Sequence, residues 1–208
     1  MQCFDGRRRR RVKIGEERLR GAKIGCVMTG SFCTFKPAFA AWRTLRDAGA
    51  ELTPIMSYNA CSLDTRFYPA AEAVALFEDI CGRKILNTIP QVEPIGPKKL
   101  LDLLIIAPCT GNTLAKIAQG ITDTPAALAV KSHLRNERPV LVAVSTNDAL
   151  SASAINIGKL LNTRHIFFVP FRQDDPENKP RSAVARFEKI PESAAFALEN
   201  RQIQPVFT

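Results

Sequence analysis

The sequence lacks the features that mark several large classes of protein. None of its apolar runs approaches 18 uncharged residues, which excludes a transmembrane helix. Its first 20 residues have no apolar core of the signal-peptide kind, so export is not expected. Of the 208 residues, 46% are hydrophobic and 24% are charged. This globular composition excludes a fully disordered chain, a collagen and a coiled coil, and the length predicts one folded domain.

Residues that bind metals are also scarce. The two histidines, His133 and His165, lie far in sequence from all six cysteines, and no two cysteines have C-x2-C spacing. A structural zinc site is therefore not predicted. Without an export signal the thiols are expected to stay reduced in the cytoplasm, most of them as small core residues. Cys109 is the cysteine with a candidate functional position.

Positive charge is concentrated at the amino terminus. Residues 1–23 hold nine Lys and Arg against three acidic residues, which accounts for six of the nine net positive charges. The remainder is nearly neutral, which argues against a globally basic nucleic-acid-binding protein. The five arginines at 7–11 are typical of a solvated, disordered tail. A nucleic-acid-binding arm and an organelle transit peptide are the alternatives. We predict a basic, disordered tail over 1–21 and a single domain over 22–208.

Hydrophobic periodicity alternates between strand-like and helix-like segments. This alternation predicts an α/β protein with a Rossmann-like, doubly wound parallel sheet and helices on both faces. The predicted strands are 23–28, 51–57, 100–107, 138–145 and 165–171, with a short strand over 84–89 and with Pro54 placing the second at an edge. The predicted helices are 37–48, 69–81, 114–119, 124–134 (capped by Asp123), 151–161 and 188–202. Segments 58–68 and 173–181 are predicted as loops.

Four loops that follow predicted strands share hydroxyls, amides or glycine and carry little charge. Ligands bind at the carboxyl ends of the strands in such folds. Small residues that lead into a helix expose backbone N–H groups suited to a phosphate, although plain helix-capping turns are the alternative. The loops are Thr29-Gly30-Ser31, Ser57-Tyr58-Asn59, 109–113 and 145–148.

Two common nucleotide-binding patterns are missing from these loops. Neither G-x-G-x-x-G with an acidic residue about 20 positions later nor G-x-x-x-x-G-K-[ST] occurs, which disfavours an NAD site and a nucleoside triphosphatase. The small and polar residues at 108–113 follow the most apolar strand. They favour hydrogen bonds to an uncharged planar heterocycle or a polyol, unless Asn112 or Thr113 only caps the next helix.

Three segments of the chain form a recognisable set: Thr29-Gly30-Ser31, residues 108–118 and Gly120-Ile121-Thr122-Asp123. These segments resemble the flavoprotein family of flavin-dependent cysteine decarboxylases and flavin prenyltransferases. The second matches a family motif that usually reads P-A-S-A-N-T. The resemblance is greatest to one branch, the B subunits of dipicolinate synthases from spore-forming bacteria. It covers about residues 22–208, with further support at 65–67, 93–98, 138–140, 145–150, 168–171, 173–176, 179–180 and 202–205.

The resemblance implies an FMN site at the strand ends. Gly30 and Ser31, beside Thr29, would hold the phosphate, and Ser57 would lie next to the flavin. The remaining cofactor-lining residues would be Thr110, Gly111, Asn112, Thr113, Ser145 and Asn147. Asn112 and Cys109 are the predicted catalytic residues. Cys109 and Gly111 replace the alanines of the family motif, and 58–68 lacks the decarboxylases' histidine, which argues against a stand-alone cysteine decarboxylase.

The resemblance to this branch implies that the chain is a subunit of an oxidoreductase. It also implies that the enzyme acts during sporulation, in the cytoplasm of the mother cell. With an NADP-dependent A subunit it would oxidise dihydrodipicolinate, or its hydroxytetrahydro precursor, to dipicolinate. Arg66 and Lys98 would pair with the two substrate carboxylates, unless they are ordinary surface charges. A stand-alone FMN decarboxylase or prenyltransferase and a non-catalytic assembly subunit are the alternatives.

The family also implies a homo-oligomer. The helix within 122–134, with its small residues, is the predicted interface, and core packing is the alternative. Nucleic acid, membranes and metals are not expected as partners.

Overall fold

A seven-stranded mixed sheet lies at the centre of the fold. The structure is a computed structural model and describes residues 17–208. The strands are β1 (Lys23–Met28), β2 (Glu51–Met56), β3 (Leu103–Cys109), β4 (Val140–Thr146), β5 (Ile166–Phe168), β6 (Phe171–Asp175) and β7 (Lys179–Ala185). Every residue of β3 is buried, because this strand is covered by helices on both faces.

Helices cover the two faces of the sheet. They are α1 (Phe35–Asp47), α2 (Tyr58–Ser62), α3 (Ala70–Cys81), α4 (Ile89–Val92), α5 (Gly111–Gln119), α6 (Pro125–Leu134), α7 (Ala154–Leu161) and α8 (Ile190–Ala197), with 3-10 turns at Phe32–Thr34, Glu93–Ile95 and Phe187–Lys189. Helix α1 packs against α3 and α8, whereas α5 packs against α6 and α7 on the opposite face. The predicted Rossmann-like, doubly wound architecture is confirmed.

The strand order places a ligand-binding crevice at the carboxyl ends of the strands. Strand β1 pairs in parallel with β2 on one side and with β3 on the other, and β3 pairs in parallel with β4. The winding therefore changes direction at β1, and the loops after β1, β3 and β4 meet at one edge of the sheet. We call this edge the carboxyl edge. Strand β2 lies at the rim of the sheet, as Pro54 predicts.

The prediction that 173–181 is a loop is wrong, because this segment forms part of an antiparallel hairpin. Strand β6 pairs with β7, and β7 pairs with the last two residues of β4, Ser145 and Thr146. The sheet is consequently mixed rather than all parallel. The sequence conceals the hairpin because its tip projects beyond the core: residues 172–174 and 176–181 are exposed, so they show no alternation of apolar and polar side chains.

Other predicted bounds also change. The predicted strand over 84–89 is a single bridge between Leu86 and Ile55, and the predicted loop over 58–68 begins with helix α2. The predicted helix over 188–202 ends at Ala197. Thr124 rather than Asp123 caps α6, since its side chain accepts the N–H of Ala127. The Asp123 carboxylate instead pairs with Lys116 Nζ at 2.6 Å.

The small residues of α6 belong to the core of the chain. Ala126, Ala127 and Ala129 are at most 2% exposed. Their face is covered by the chain's own sheet and helices, so it is not open to a second copy. Core packing therefore explains the small residues of this helix, while the predicted oligomer interface over 122–134 stays a prediction for its exposed residues.

The described residues begin just before the predicted domain boundary. The arginines at 7–11 and most of the predicted tail lie outside them. Within residues 17–21, Leu19 is buried in the core and the Arg18 guanidinium pairs with the carboxylate of Glu199. Packing against the domain thus starts before residue 22. Over the described part of the chain, no helix combines the length and apolar character that crossing a bilayer requires.

Candidate functional site

Thr29 joins the end of β1 to the end of β3. Its Oγ1 donates to the carbonyl of Pro108 at 2.8 Å and accepts the N–H of Thr110 at 3.0 Å. The Thr29 N–H also donates to the Pro108 carbonyl, and the residue is 1% exposed. These bonds fix the two loops relative to each other. Thr29 therefore positions the site from within the protein instead of facing a ligand, which corrects its predicted role.

Three hydroxyl groups meet where the loops after β1 and β4 touch. Ser31 Oγ lies 2.7 Å from Ser145 Oγ, and Thr34 Oγ1 lies 3.1 Å from Ser145 Oγ and 3.3 Å from Ser31 Oγ. We call Ser31, Thr34 and Ser145 the hydroxyl trio. Ser31 and Ser145 were predicted, whereas Thr34 was not. These hydroxyls are bonded to one another, and Thr34 Oγ1 also donates to the Ser31 carbonyl at 2.8 Å, so a ligand at the carboxyl edge would bind them by exchanging these hydrogen bonds.

Backbone donors lie beside the hydroxyl trio. The 3-10 turn Phe32–Thr34 continues directly into α1, so this loop is the amino end of a helix. Ser31 N–H donates to the Thr29 carbonyl and Thr34 N–H to the Ser31 carbonyl. Within residues 17–208, the N–H groups of Gly30, Phe32 and Cys33 have no acceptor. Such unpaired donors at a helix start, together with hydroxyls, are the chemistry that binds a phosphate.

The loop after β2 completes this side of the site. Ser57 N–H donates to the Met28 carbonyl, which places the start of α2 beside the end of β1. Ser57 Oγ caps α2 by accepting the N–H of Ala60 at 3.4 Å. Asn59 lies close to Gly30, since a Cβ added to Gly30 would be 3.7 Å from Asn59 Cβ. Ser57 therefore lies next to the predicted phosphate loop, and its expected place beside the flavin stays a prediction.

Thr110, and not Asn112, caps helix α5. Thr110 Oγ1 accepts the N–H of Thr113 at 3.3 Å and donates to Thr113 Oγ1 at 3.1 Å. The hydroxyls of Thr110 and Thr113 are thus used within the loop. Asn112 lies in the first turn of α5, is exposed, and has no side-chain hydrogen bond to any residue of the described chain. The capping alternative for Asn112 is therefore wrong, and its amide is available to a ligand.

Gly111 has no room for a side chain. A Cβ there would lie 2.6 Å from Ser153 Oγ, 2.7 Å from Thr146 Oγ1 and 2.8 Å from Asp148 Oδ1. These atoms form one network, because Asp148 Oδ1 accepts hydrogen bonds from both the Thr146 and the Ser153 hydroxyls. The close approach explains why glycine replaces the alanine of the family motif. Gly111 allows the network to pack against the start of α5.

Cys109 does not have the surroundings of a catalytic thiol. Its side chain is fully buried at the end of β3, and burial raises the pKa of the thiol far above its ordinary value. The reactive thiolate is thereby disfavoured. The prediction that Cys109 is catalytic is not supported by this geometry, and Cys109 is a core residue.

The two predicted substrate-binding cations lie at opposite edges of the sheet. Arg66 follows α2 at the carboxyl edge, is exposed, and has its guanidinium 4.8 Å from the centre of the Phe67 ring. Lys98 precedes β3 and lies at the amino edge, beyond Asp102, whose carboxylate accepts the N–H of Lys23 at the start of β1. Lys98 therefore does not reach the site, which corrects its predicted role.

The histidines do not supply acid–base groups to the carboxyl edge. His133 on α6 is buried, and burial together with the charge of Arg138 lowers its pKa to about 4. Its neighbours Arg138 and Asp102 lie at the amino edge. His165 precedes β5, also at the amino edge. In the part of the chain that the structure covers, no group of three His, Cys, Asp or Glu is arranged to bind a metal.

Comparison with known proteins gives a consistent result. The sequence pattern of the Flavoprotein family matches residues 13–192. The chain is 43% identical over 188 residues to the dipicolinate synthase B subunit of Bacillus subtilis (strain 168), covering 90% of this chain and 94% of that protein. The crystal structure of the dipicolinate synthase B subunit from Bacillus halodurans has a TM-score of 0.84 and 40% identity, covering 91% of this chain and 97% of that one.

A more distant structure shares the fold alone. The dodecameric FMN-dependent Ubix-like decarboxylase from Escherichia coli O157:H7 has a TM-score of 0.58 at 23% identity, covering 71% of this chain and 79% of that one.

Proposed function

This chain belongs to the Flavoprotein family, and on that basis we propose that it is the B subunit of a dipicolinate synthase. In this proposal it acts in sporulation with an NADP-dependent A subunit, in the mother-cell cytoplasm. The pair oxidises dihydrodipicolinate, or its hydroxytetrahydro precursor, to dipicolinate. The similarity to the Bacillus subtilis protein supports the proposal because it covers nearly the whole of both chains.

The structural observation that carries the proposed FMN site is the hydroxyl trio beside the unpaired N–H groups of Gly30, Phe32 and Cys33. A phosphate fits this arrangement, since hydroxyl and amide donors can bind it without a buried cation. FMN carries such a phosphate together with an uncharged planar ring. The residues at the carboxyl edge therefore fit FMN as the cofactor.

The amides at the carboxyl edge would orient the rest of the ligands. Asn112 and Asn147 are both exposed and follow adjacent central strands, β3 and β4. A carboxamide both donates and accepts, so these side chains match the mixed edge of a flavin or an imine of the substrate. When bound, FMN supplies a ring that accepts and donates hydride. The chain's own residues bind and orient the reactants.

The absence of a nicotinamide-binding motif from this sequence is consistent with binding of the nicotinamide cofactor by the other subunit. The sequence has no G-x-G-x-x-G segment, so in this proposal NADP binds to the A subunit. Arg66, which lies at the carboxyl edge, remains a candidate partner for a substrate carboxylate. The two subunits would bring nicotinamide and substrate together only in the complex.

We also propose that the chain forms a homo-oligomer. Leu150 and Ile155 are large apolar side chains that are 56% and 76% exposed, which makes them candidate contacts for a second copy. They follow β4 on the face that carries α5 and α7. A second copy covering them would also help to enclose a cofactor at the carboxyl edge. The E. coli decarboxylase, a protein of the same fold, is dodecameric.

Reconstitution tests the proposed reaction. The purified chain, the partner A subunit, NADP and freshly prepared dihydrodipicolinate are combined, and dipicolinate is followed by its ultraviolet absorbance. We expect dipicolinate to form at a higher rate in the mixture than with either protein alone. Formation by this chain alone, at the rate of the mixture, would contradict the need for an A subunit. A rate in the mixture that equals that of the A subunit alone would favour a non-catalytic assembly subunit.

A further inference from the structure

Arg181 is held beside the loop that follows β4. Its carbonyl accepts the N–H of Leu150 at 3.0 Å, and the next residue, Ser182, donates from Oγ to the carbonyl of Thr146 at 3.3 Å. One residue further on, Ala183 pairs directly with Thr146 in the antiparallel register. Three consecutive residues of β7 are therefore attached to residues 146–150. The backbone of Arg181 lies at the carboxyl edge.

The register also places Arg181 on the face of the sheet that carries α5. Directly opposed residues in an antiparallel pair share a face, and side chains two residues apart along a strand do as well. Arg181 therefore shares a face with Ala183 and Thr146. On that face Thr146 Oγ1 donates to Asp148, and both lie against Gly111 at the start of α5. Asn112, with its exposed amide, is the next residue of that helix.

The charge of Arg181 is not neutralised by any carboxylate among the residues that the structure describes. The residue is exposed, and among residues 17–208 no carboxylate oxygen lies within 4.0 Å of its guanidinium. The nearby Asp148 already receives hydrogen bonds from Thr146 and Ser153 on Oδ1. By contrast, Lys179 in the same hairpin is paired with Asp174 at 2.9 Å. Arg181 is thus a cation that is available to an external anion.

A dicarboxylate substrate requires a cation at this edge. The loops at 29–31, 57–59, 109–113 and 145–148 contain no Lys or Arg, and Lys98 lies at the opposite edge. An arginine binds a carboxylate through two parallel N–H donors, which a lysine cannot do. We propose that Arg181 binds one carboxylate of the substrate and so determines the preference for a dicarboxylate. This inference rests on the proposed function and assigns a residue to it.

Binding of dipicolinate tests the assignment directly. The full chain, loaded with FMN and mixed with the A subunit, is titrated with dipicolinate by calorimetry. Arg181→Gln is expected to weaken binding about 10- to 100-fold, which corresponds to the loss of a charge-assisted hydrogen-bond pair. Arg181→Lys should restore part of the affinity, because it keeps the charge without the paired donors. In the activity assay KM should rise with kcat little changed.

Lys98→Gln is the matched control, since it removes the same charge at the amino edge. It should leave dipicolinate affinity, FMN content and melting temperature unchanged. Equal affinities for Arg181→Gln and the unmodified chain would overturn the assignment of Arg181 alone. An equal loss in both variants would also overturn it, because general electrostatics would then explain the effect. If the unmodified complex neither binds nor forms dipicolinate, the proposed function fails and the role of Arg181 fails with it.

Discussion

Replacing Gly30 with valine is expected to abolish FMN binding while the chain stays folded. A Cβ at Gly30 would lie 3.6 Å from the Phe32 ring and 3.7 Å from Asn59 Cβ, which are ordinary contacts, so the fold accommodates the substitution. The added methyl groups, however, take up space beside the N–H groups of Gly30, Phe32 and Cys33. A phosphate needs that space to reach the donors. FMN content is measured from the visible absorbance after gel filtration.

Gly158→Ala provides a control of the same chemical kind. Gly158 lies within α7, and apart from its chain neighbours and the backbone of its own helix no atom lies within 4 Å of the Cβ that alanine would add. We expect the variant to keep its FMN and to unfold at the same or a slightly higher temperature, because alanine favours a helix over glycine by about 1 kcal/mol. If Gly30→Val retained as much FMN as the unmodified chain, the phosphate would have to bind elsewhere.

Replacing Asn112 with aspartate is expected to lower flavin affinity or dipicolinate formation about 10- to 100-fold. The estimate corresponds to the loss of one or two hydrogen bonds to the bound ligand, about 1–3 kcal/mol. Asn112 lies in the first turn of α5, where a negative charge favours the helix. The melting temperature should therefore stay the same or rise slightly. Activity and thermal unfolding, measured on one preparation, separate the two effects.

Thr110→Ala serves as the comparison for Asn112→Asp, because it is expected to lower the melting temperature instead of leaving it unchanged or raising it. Thr110 is the residue that caps α5. Its loss should destabilise the protein by about 1 kcal/mol, as is typical when a capping side chain is removed. Full activity of Asn112→Asp at an unchanged or higher melting temperature would show that the amide of Asn112 has no part in ligand binding.

The positions of the central strands were predictable from their apolar runs, but their ends were less so. Strand β1 has its predicted bounds, whereas β3 spans Leu103–Cys109 instead of residues 100–107. The hairpin of β6 and β7 was missed, because strands that project beyond the core are exposed and do not alternate between apolar and polar residues. Helix α6 shows a related limit. Its small residues suit contact with another copy and core packing equally well, and only the fold distinguishes the two.

The loops of the site were predictable, but the contacts among their side chains were not. Ser31 and Ser145 were selected separately from their positions after strands, yet they are 114 residues apart and their bond depends on the whole sheet. Thr34 and Arg181 belong to the site through similar long-range contacts, which no local pattern reveals. Lys98 was assigned wrongly because a loop near a strand in sequence can lie at either end of it.

The FMN content of the unmodified chain tests the central claim most directly. The purified protein is incubated with excess FMN, separated from free FMN by gel filtration, and its flavin-to-protein ratio is determined from absorbance. The carboxyl edge described here predicts one FMN per chain and a ratio that falls to near zero in Gly30→Val. A colourless protein from which all FMN separates, at concentrations where the chain is fully assembled, would contradict the account.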